Sequence, residues 1–227
     1  MGGWWALFQK DFRMGAPWLL TGLSILIGID LTSIWFVENP DLKKGIFFFT
    51  ILVHYFYFSI FLLSNLEQES KQLHQWLHSS QPAWKLLASK ILAALSATIL
   101  SFSIGCFYPV WYLFQEGFLP KIWEDITQTI GIILLSSLSF GFLLMVVWMI
   151  QQGLKSHIGK WSGLVFVFYF VIFNFLTNVV TTQSHIQNEN GWSFTINLYW
   201  TSWVFHLTTV VLSFLLATWL LERKTEV

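Results

Sequence analysis

Few side chains in these 227 residues could do chemistry, and their spacing narrows them further. A phosphate-binding P-loop needs Gly, four residues, then Gly-Lys and a hydroxyl residue, so that backbone amides and one lysine wrap the phosphates. The nearest approach is Gly153 to Gly159-Lys160, with five residues between the glycines and Trp161 where the hydroxyl belongs. That is no nucleotide site. The chain has no His-Glu-x-x-His pair, no Gly-x-Ser-x-Gly elbow and one cysteine, Cys106. These counts exclude a helical zinc site of that type, a hydrolase nucleophile turn and any intrachain disulfide or thiolate cluster. Close acidic pairs stand at Glu67/Glu69 and Glu124/Asp125, in polar segments beside apolar runs, where a wetting surface is the simpler role. No catalytic residue, metal ligand or cofactor is assigned to this chain.

Composition explains the scarcity. Hydrophobic residues make up 55% and charged residues 11%, with 14 Trp, 23 Phe and a formal net charge of zero. Soluble domains carry about 25% charged residues. So few charges disfavour a soluble enzyme, a disordered tail and a basic nucleic-acid binder. The composition implies an integral membrane protein.

Six segments hold the roughly 20 mostly apolar residues a spanning helix needs: 18–37, 45–64, 86–110, 126–150, 161–180 and 201–221. Barrel strands would alternate strictly, and "ILAALSATILSFSIG" does not. The fold expected is an all-α integral membrane protein, one transmembrane domain over 1–227. Orientation is read from Lys and Arg. Lys10, Arg13, Lys71, Lys85, Lys90, Lys155, Lys160, Arg223 and Lys224 fall on one side, and Lys43, Lys44 and Lys121 on the other. That asymmetry places both termini in the cytoplasm. Residues 1–17 lack the compact apolar core and cleavage site of a signal peptide.

Within the spans, polar groups are sparse. Asp30 lies about 18 Å along its helix from Trp18, at 1.5 Å per residue. A carboxylate there faces another helix, a water-filled cavity or the headgroup boundary, because hydrocarbon does not solvate it. Two roles stay open for it, a substrate-path or subunit-contact residue and a simple outer-interface residue. Asp30, His54, Asn174 and Asn178 are the candidates for a pathway or a subunit contact. For His54 and His206 a packed, hydrogen-bonding ring is the simpler role, and Asn174, Thr177, Asn178, Ser101 and Ser103 read as interhelical hydrogen-bonding groups. Pro109 is expected to kink or end the third span, one turn after Cys106.

Two further segments flank the spans. In "WWALFQKDFRMGAPW", Trp4, Trp5, Phe8 and Phe12 share a helical face, Lys10 and Arg13 oppose it, and Asp11 sits at its edge. Gly15-Ala16-Pro17 is expected to break this segment, giving a short interfacial elbow helix over 1–16. The cytoplasmic stretch "NLEQESKQLHQWLHSSQPAWKLLASK" repeats Leu66, Leu73, Trp76 and Leu77 at helical spacing among charges, then breaks at Pro82. An amphipathic helix here fits a soluble partner or the headgroup surface equally well.

The order acidic residue, amphipathic stretch, Pro, then "WKLLASKIL" resembles the first cytoplasmic loop of ABC-2 type transporter permease subunits. Glu67 or Glu69, Pro82 and Lys90 occupy the matching places, although Gln81 stands where that family has Leu or a small residue. The resemblance implies six spans with cytoplasmic ends in a bacterial plasma membrane, an N-terminal interfacial helix and a coupling loop at 65–85. It implies that Glu67, Glu69, Leu73, Trp76, Leu77 and Pro82 meet a separate ABC ATP-binding subunit, which binds the ATP. It further implies a second permease subunit, as homo- or heterodimer, meeting at spans one and five. Membrane lipid surrounds the whole, and short helices dip into the membrane near 192–200. Small six-span subunits of this kind resemble exporters of bacteriocin or lantibiotic immunity and of envelope stress, with peptide, lipid-like or small-compound substrates. The alternative is a non-transporting membrane sensor, scaffold or assembly protein that uses the same loop.

Overall fold

The structure, a computed structural model, describes residues 2–70, 81–115, 123–167, 169–171 and 200–225. Its regular elements are helical: α1 (Gly2–Phe36), α2 (Pro40–Ser70), α3 (Ala83–Gly105), α4 (Phe107–Gln115), α5 (Trp123–Ile158), a 3-10 turn (Gly159–Gly163) and α6 (Trp200–Thr225). Among the described residues, five stretches are long and apolar enough to cross a membrane: Gly3–Phe36, Pro40–Glu69, Ala83–Gly105, Leu134–Lys155 and Trp203–Glu222. They correspond to five of the six expected spans. The remaining one, 161–180, is described only as the shorter apolar helix Trp161–Val171. The chain groups into two compact units, Met1–Lys121 with Leu221–Val227, and Ile122–Leu220.

In the first unit, α1, α2 and α3 pack on one another. The turn from α1 to α2 is written locally. Asn39 accepts the amides of Asp41 (2.9 Å) and Leu42 (3.3 Å) on its side-chain oxygen, and Pro40 opens the helix. A cap of this kind satisfies donors that have no intrahelical partner, and a proline at the first helical position has no amide to lose. On α1, Gly15 and Gly22 let α2 approach. A Cβ on Gly15 would fall 2.1 Å from the Phe61 ring, and one on Gly22 would fall 2.9 Å from the Tyr57 ring. Small residues at such positions permit the close packing that holds membrane helices together.

Two expected breaks differ in the structure. No elbow forms at Gly15-Ala16-Pro17, and α1 runs unbroken with Pro17 inside it. Pro17 removes one amide and leaves the Arg13 carbonyl without its helical donor, but ending the helix there would free several more groups. Tertiary contacts hold α1 to its neighbours on both sides of the proline. Asn65 donates to the Asp11 carbonyl at 3.2 Å, and the Tyr57 hydroxyl donates to the Leu19 carbonyl at 2.8 Å. The second difference is at the far end of α3, which ends at Gly105, before Pro109. Cys106 forms the turn, and Pro109 sits in the first turn of α4. There its missing amide is harmless. Phe47 of α2 packs edge-on against Tyr108 and Tyr112 of α4, with ring centroids 5.5 and 5.1 Å apart.

In the second unit, α5 is longer than its apolar run. Gln151 to Ile158, expected as loop, continues the helix, which ends where Gly159 adopts φ +57°. Glycine reaches that left-handed conformation without a Cβ penalty, and it is the common residue just past a helix end. Phe142 of α5 packs on Phe214 of α6, and Phe140 meets Tyr169 and Phe170.

Gly15 yields a direct test of the packing. Gly15→Leu is expected to destabilise the protein by about 1–3 kcal/mol, the usual cost of overpacking. Because the clash is with one ring, adding Phe61→Ala should recover part of the loss. Reversible unfolding in mixed micelles measures both.

Candidate functional site

Four charged side chains from three helices meet where the α2–α3 loop joins the first unit. Lys90 of α3 places its Nζ 2.9 Å from Asp11 Oδ1 of α1 and 2.7 Å from Glu69 Oε2 of α2. The other Asp11 oxygen accepts the Ser89 hydroxyl at 2.5 Å. Lys10 pairs with Glu69 Oε1 and stands 3.8 Å from Asp11. The side chains of Asp11 and Lys90 are each 1% exposed and that of Glu69 is 7% exposed, whereas Lys10 is 51% exposed. Two cations and two anions sum to zero. Each buried charge therefore has an opposite partner at contact distance, the condition under which burial of ions is tolerated.

Helical geometry brings these residues together. Glu69 is the penultimate residue of α2, and Ser89 and Lys90 lie two turns into α3. Between them Pro82 holds an extended conformation (φ −63°, ψ 146°) and its carbonyl accepts the amides of Lys85 (3.0 Å) and Leu86 (3.4 Å). Both roots of the 71–82 segment are thereby fixed to α1. In the sequence Asp11 reads as an edge residue, and Glu69 as half of a wetting pair or, by the family resemblance, as a contact with the ATPase. Glu67 is exposed as that pair implied, but Glu69 turns inward. The missed signal was Lys90 itself, four residues inside an expected span, which required a buried acid.

A second polar group lies towards the opposite end of the same three helices. Thr50 of α2 donates to Asp30 Oδ1 of α1 at 3.0 Å. One turn on, His54 Nδ1 lies 2.9 Å from the Thr50 carbonyl, which can only accept, so Nδ1 carries the proton. The Ser101 hydroxyl lies 3.3 Å from Nε2. Both nitrogens of His54 thus have a polar partner, and the ring packs on Tyr57 and Phe102. Cys106 is buried 3.7 Å from the same ring. Ser103 faces outward. Asp11 and Asp30 are nineteen residues apart on α1, as are Thr50 and Glu69 on α2. At 1.5 Å per residue the two polar groups are about 28 Å apart, close to the thickness of a hydrocarbon core.

In the second unit, Ser139 donates to the Leu135 carbonyl at 3.0 Å and lies 2.9 Å from His206 Nδ1. The same hydroxyl also lies 3.3 Å from the His206 carbonyl, and Ser136 lies 3.5 Å from Nε2. His206 fastens α6 to α5. Among the described residues, no group of three His, Cys, Asp or Glu could hold a metal ion. Leu73, Trp76, Leu77, Asn174, Thr177, Asn178 and most of 192–200 lie outside the described residues.

Long apolar helices and polar side chains turned to helix contacts define a helical multi-pass membrane protein. Compared with protein-family models, curated proteins and solved structures, the chain gives no match.

The burial difference within the cluster predicts an order of effects. Lys90→Met should cost about 3–5 kcal/mol, because two acids lose their buried counter-charge. Lys10→Met should cost about 1 kcal/mol or less, since water reaches that side. Unfolding of the purified protein in mixed micelles gives both values, and equal losses would contradict the assignment.

Proposed function

We propose that this chain is the membrane-spanning subunit of an ATP-driven ABC-2 type permease, coupled through the 65–85 segment to a separate ATPase. The observation that supports the reading is the neutral four-charge cluster at the roots of that segment. Force applied to the 71–82 stretch reaches α2 through Glu69 and α3 through Ser89 and Lys90, and Asp11 carries it to α1. Three helices are then displaced together, which is what a transporter needs from its coupling element. Packed membrane helices alone slide more readily, because their apolar surfaces are as well solvated by lipid as by each other.

In this reading ATP hydrolysis belongs to the partner, two membrane subunits enclose the path, and the location is a bacterial plasma membrane. The exposed Glu67 and the amphipathic residues Leu73, Trp76 and Leu77 form the contact with the ATPase. Glu69 serves as the internal root of the contact.

Isolation of the tagged full-length protein in mild detergent should recover a P-loop ATPase, and Trp76→Asp should release it with expression unchanged. Recovery of no ATPase from the wild type overturns the proposal. Retention of a different protein through the same loop would make the chain a sensor, scaffold or assembly factor.

A further inference from the structure

The Asp30 carboxylate has more capacity than the helices around it use. Asp30 is 5% exposed, and its hydrogen-bond partner among the described residues is the Thr50 hydroxyl, whose proton is shared with the Ile46 carbonyl at 3.2 Å. No ion pair reaches Asp30 among the described residues. The contrast with Asp11 is direct, since the same residue type on the same helix there meets a lysine, a second lysine and a serine. An independent observation lies one turn further along α1. Ser33 is 2% exposed and its hydroxyl has no hydrogen-bond partner among the described residues. Residues three apart share a helix face, and Leu31 and Thr32 between them are exposed, so Asp30 and Ser33 turn inward together.

Among the described residues, no lysine or arginine pairs with Asp30. The two ring nitrogens of His54 are taken by the Thr50 carbonyl and Ser101. Cys106 presents a thiol. At the outer end of α2, Lys44 pairs with Asp41 at 3.9 Å and Lys43 lies over the Tyr112 ring. Asp30 stands about 9 Å below the end of α1, at 1.5 Å per residue. A buried carboxylate is stable when a cation is held against it, and hard cations take carboxylate and hydroxyl oxygens as ligands.

We propose that Asp30, Thr50 and Ser33 form a binding site for a single monovalent cation, either an alkali ion or the primary ammonium head (–NH3+) of a small organic cation. Asp30 supplies the charge, and the two hydroxyls supply neutral oxygens from adjacent helices. The site does not depend on the transporter reading.

Thermal unfolding of the full-length protein in uncharged detergent tests it, at fixed ionic strength and pH, with choline chloride as the reference salt. Sodium, potassium and ethanolammonium chlorides are the three probes. For the cation that binds, the midpoint should rise by about 5–10 °C at a hundredfold excess over half-saturation. The response to sodium or potassium identifies an alkali-ion site, and the response to ethanolammonium identifies an ammonium site. Asp30→Asn should abolish the shift. Ser33→Ala, which removes one hydroxyl without adding bulk, should raise the half-saturating concentration about tenfold, as for a hydrogen bond to a charged group. That variant keeps the test open should Asp30→Asn fail to fold. Absence of a cation-specific shift in the wild type overturns the proposal, as does an equal shift in Asp30→Asn. Stabilisation by acidification alone also overturns it, because a proton would then be what neutralises the carboxylate.

Discussion

A charged side chain cannot be left facing lipid, and this constraint organises the first unit. Lys90, Asp11 and Glu69 lie on three helices joined by different connections, and each is nearly inaccessible. Apolar packing does not choose among partners in a membrane, because lipid tails solvate leucine as well as another helix does. Charges do choose. Burying any one of the three without the others leaves an ion uncompensated, so α1, α2 and α3 are bound to one relative register. The close glycine contacts at Gly15 and Gly22 then become the fine adjustment of an arrangement that electrostatics has selected.

The two polar ends of this unit are built differently. At one end the charges cancel within the bundle, which favours a fixed joint beneath the α2–α3 loop. At the other, Asp30 meets one hydroxyl, while His54 and Ser101 consume each other's hydrogen-bonding capacity. A closed network rigidifies and an open one receives ligands. That difference in saturation, and not depth in the membrane, separates the two acids of α1 in role.

Much of the helical layout was legible from apolar length alone. Five of the six expected spans coincide with long helices, and Pro82 stands just before α3 as its restriction of the preceding residue implies. Local signals were weaker guides to where helices stop. Pro17 looked like a break because a proline costs a backbone hydrogen bond, yet contacts at Asp11 and Leu19 carry α1 through it. Pro109 looked like the end of the third span, yet the turn came at Cys106 so that the proline could open the next helix. Gly159 stands in the sequence within a failed phosphate motif, and its left-handed φ shows it ending α5.

The sequence by itself determined the solvent of this protein and the number of charges that must be accounted for. Hydropathy is additive along the chain, so composition and run length suffice for that. It could not say which charges meet, because Asp11 and Lys90 are seventy-nine residues apart and no local pattern links them. Nor could it separate Glu67 from Glu69, whose difference is a rotation about the axis of α2. Only the packed helices decided that one faces out and the other becomes half of a buried joint, since partner choice depends on distance in space and on the local dielectric.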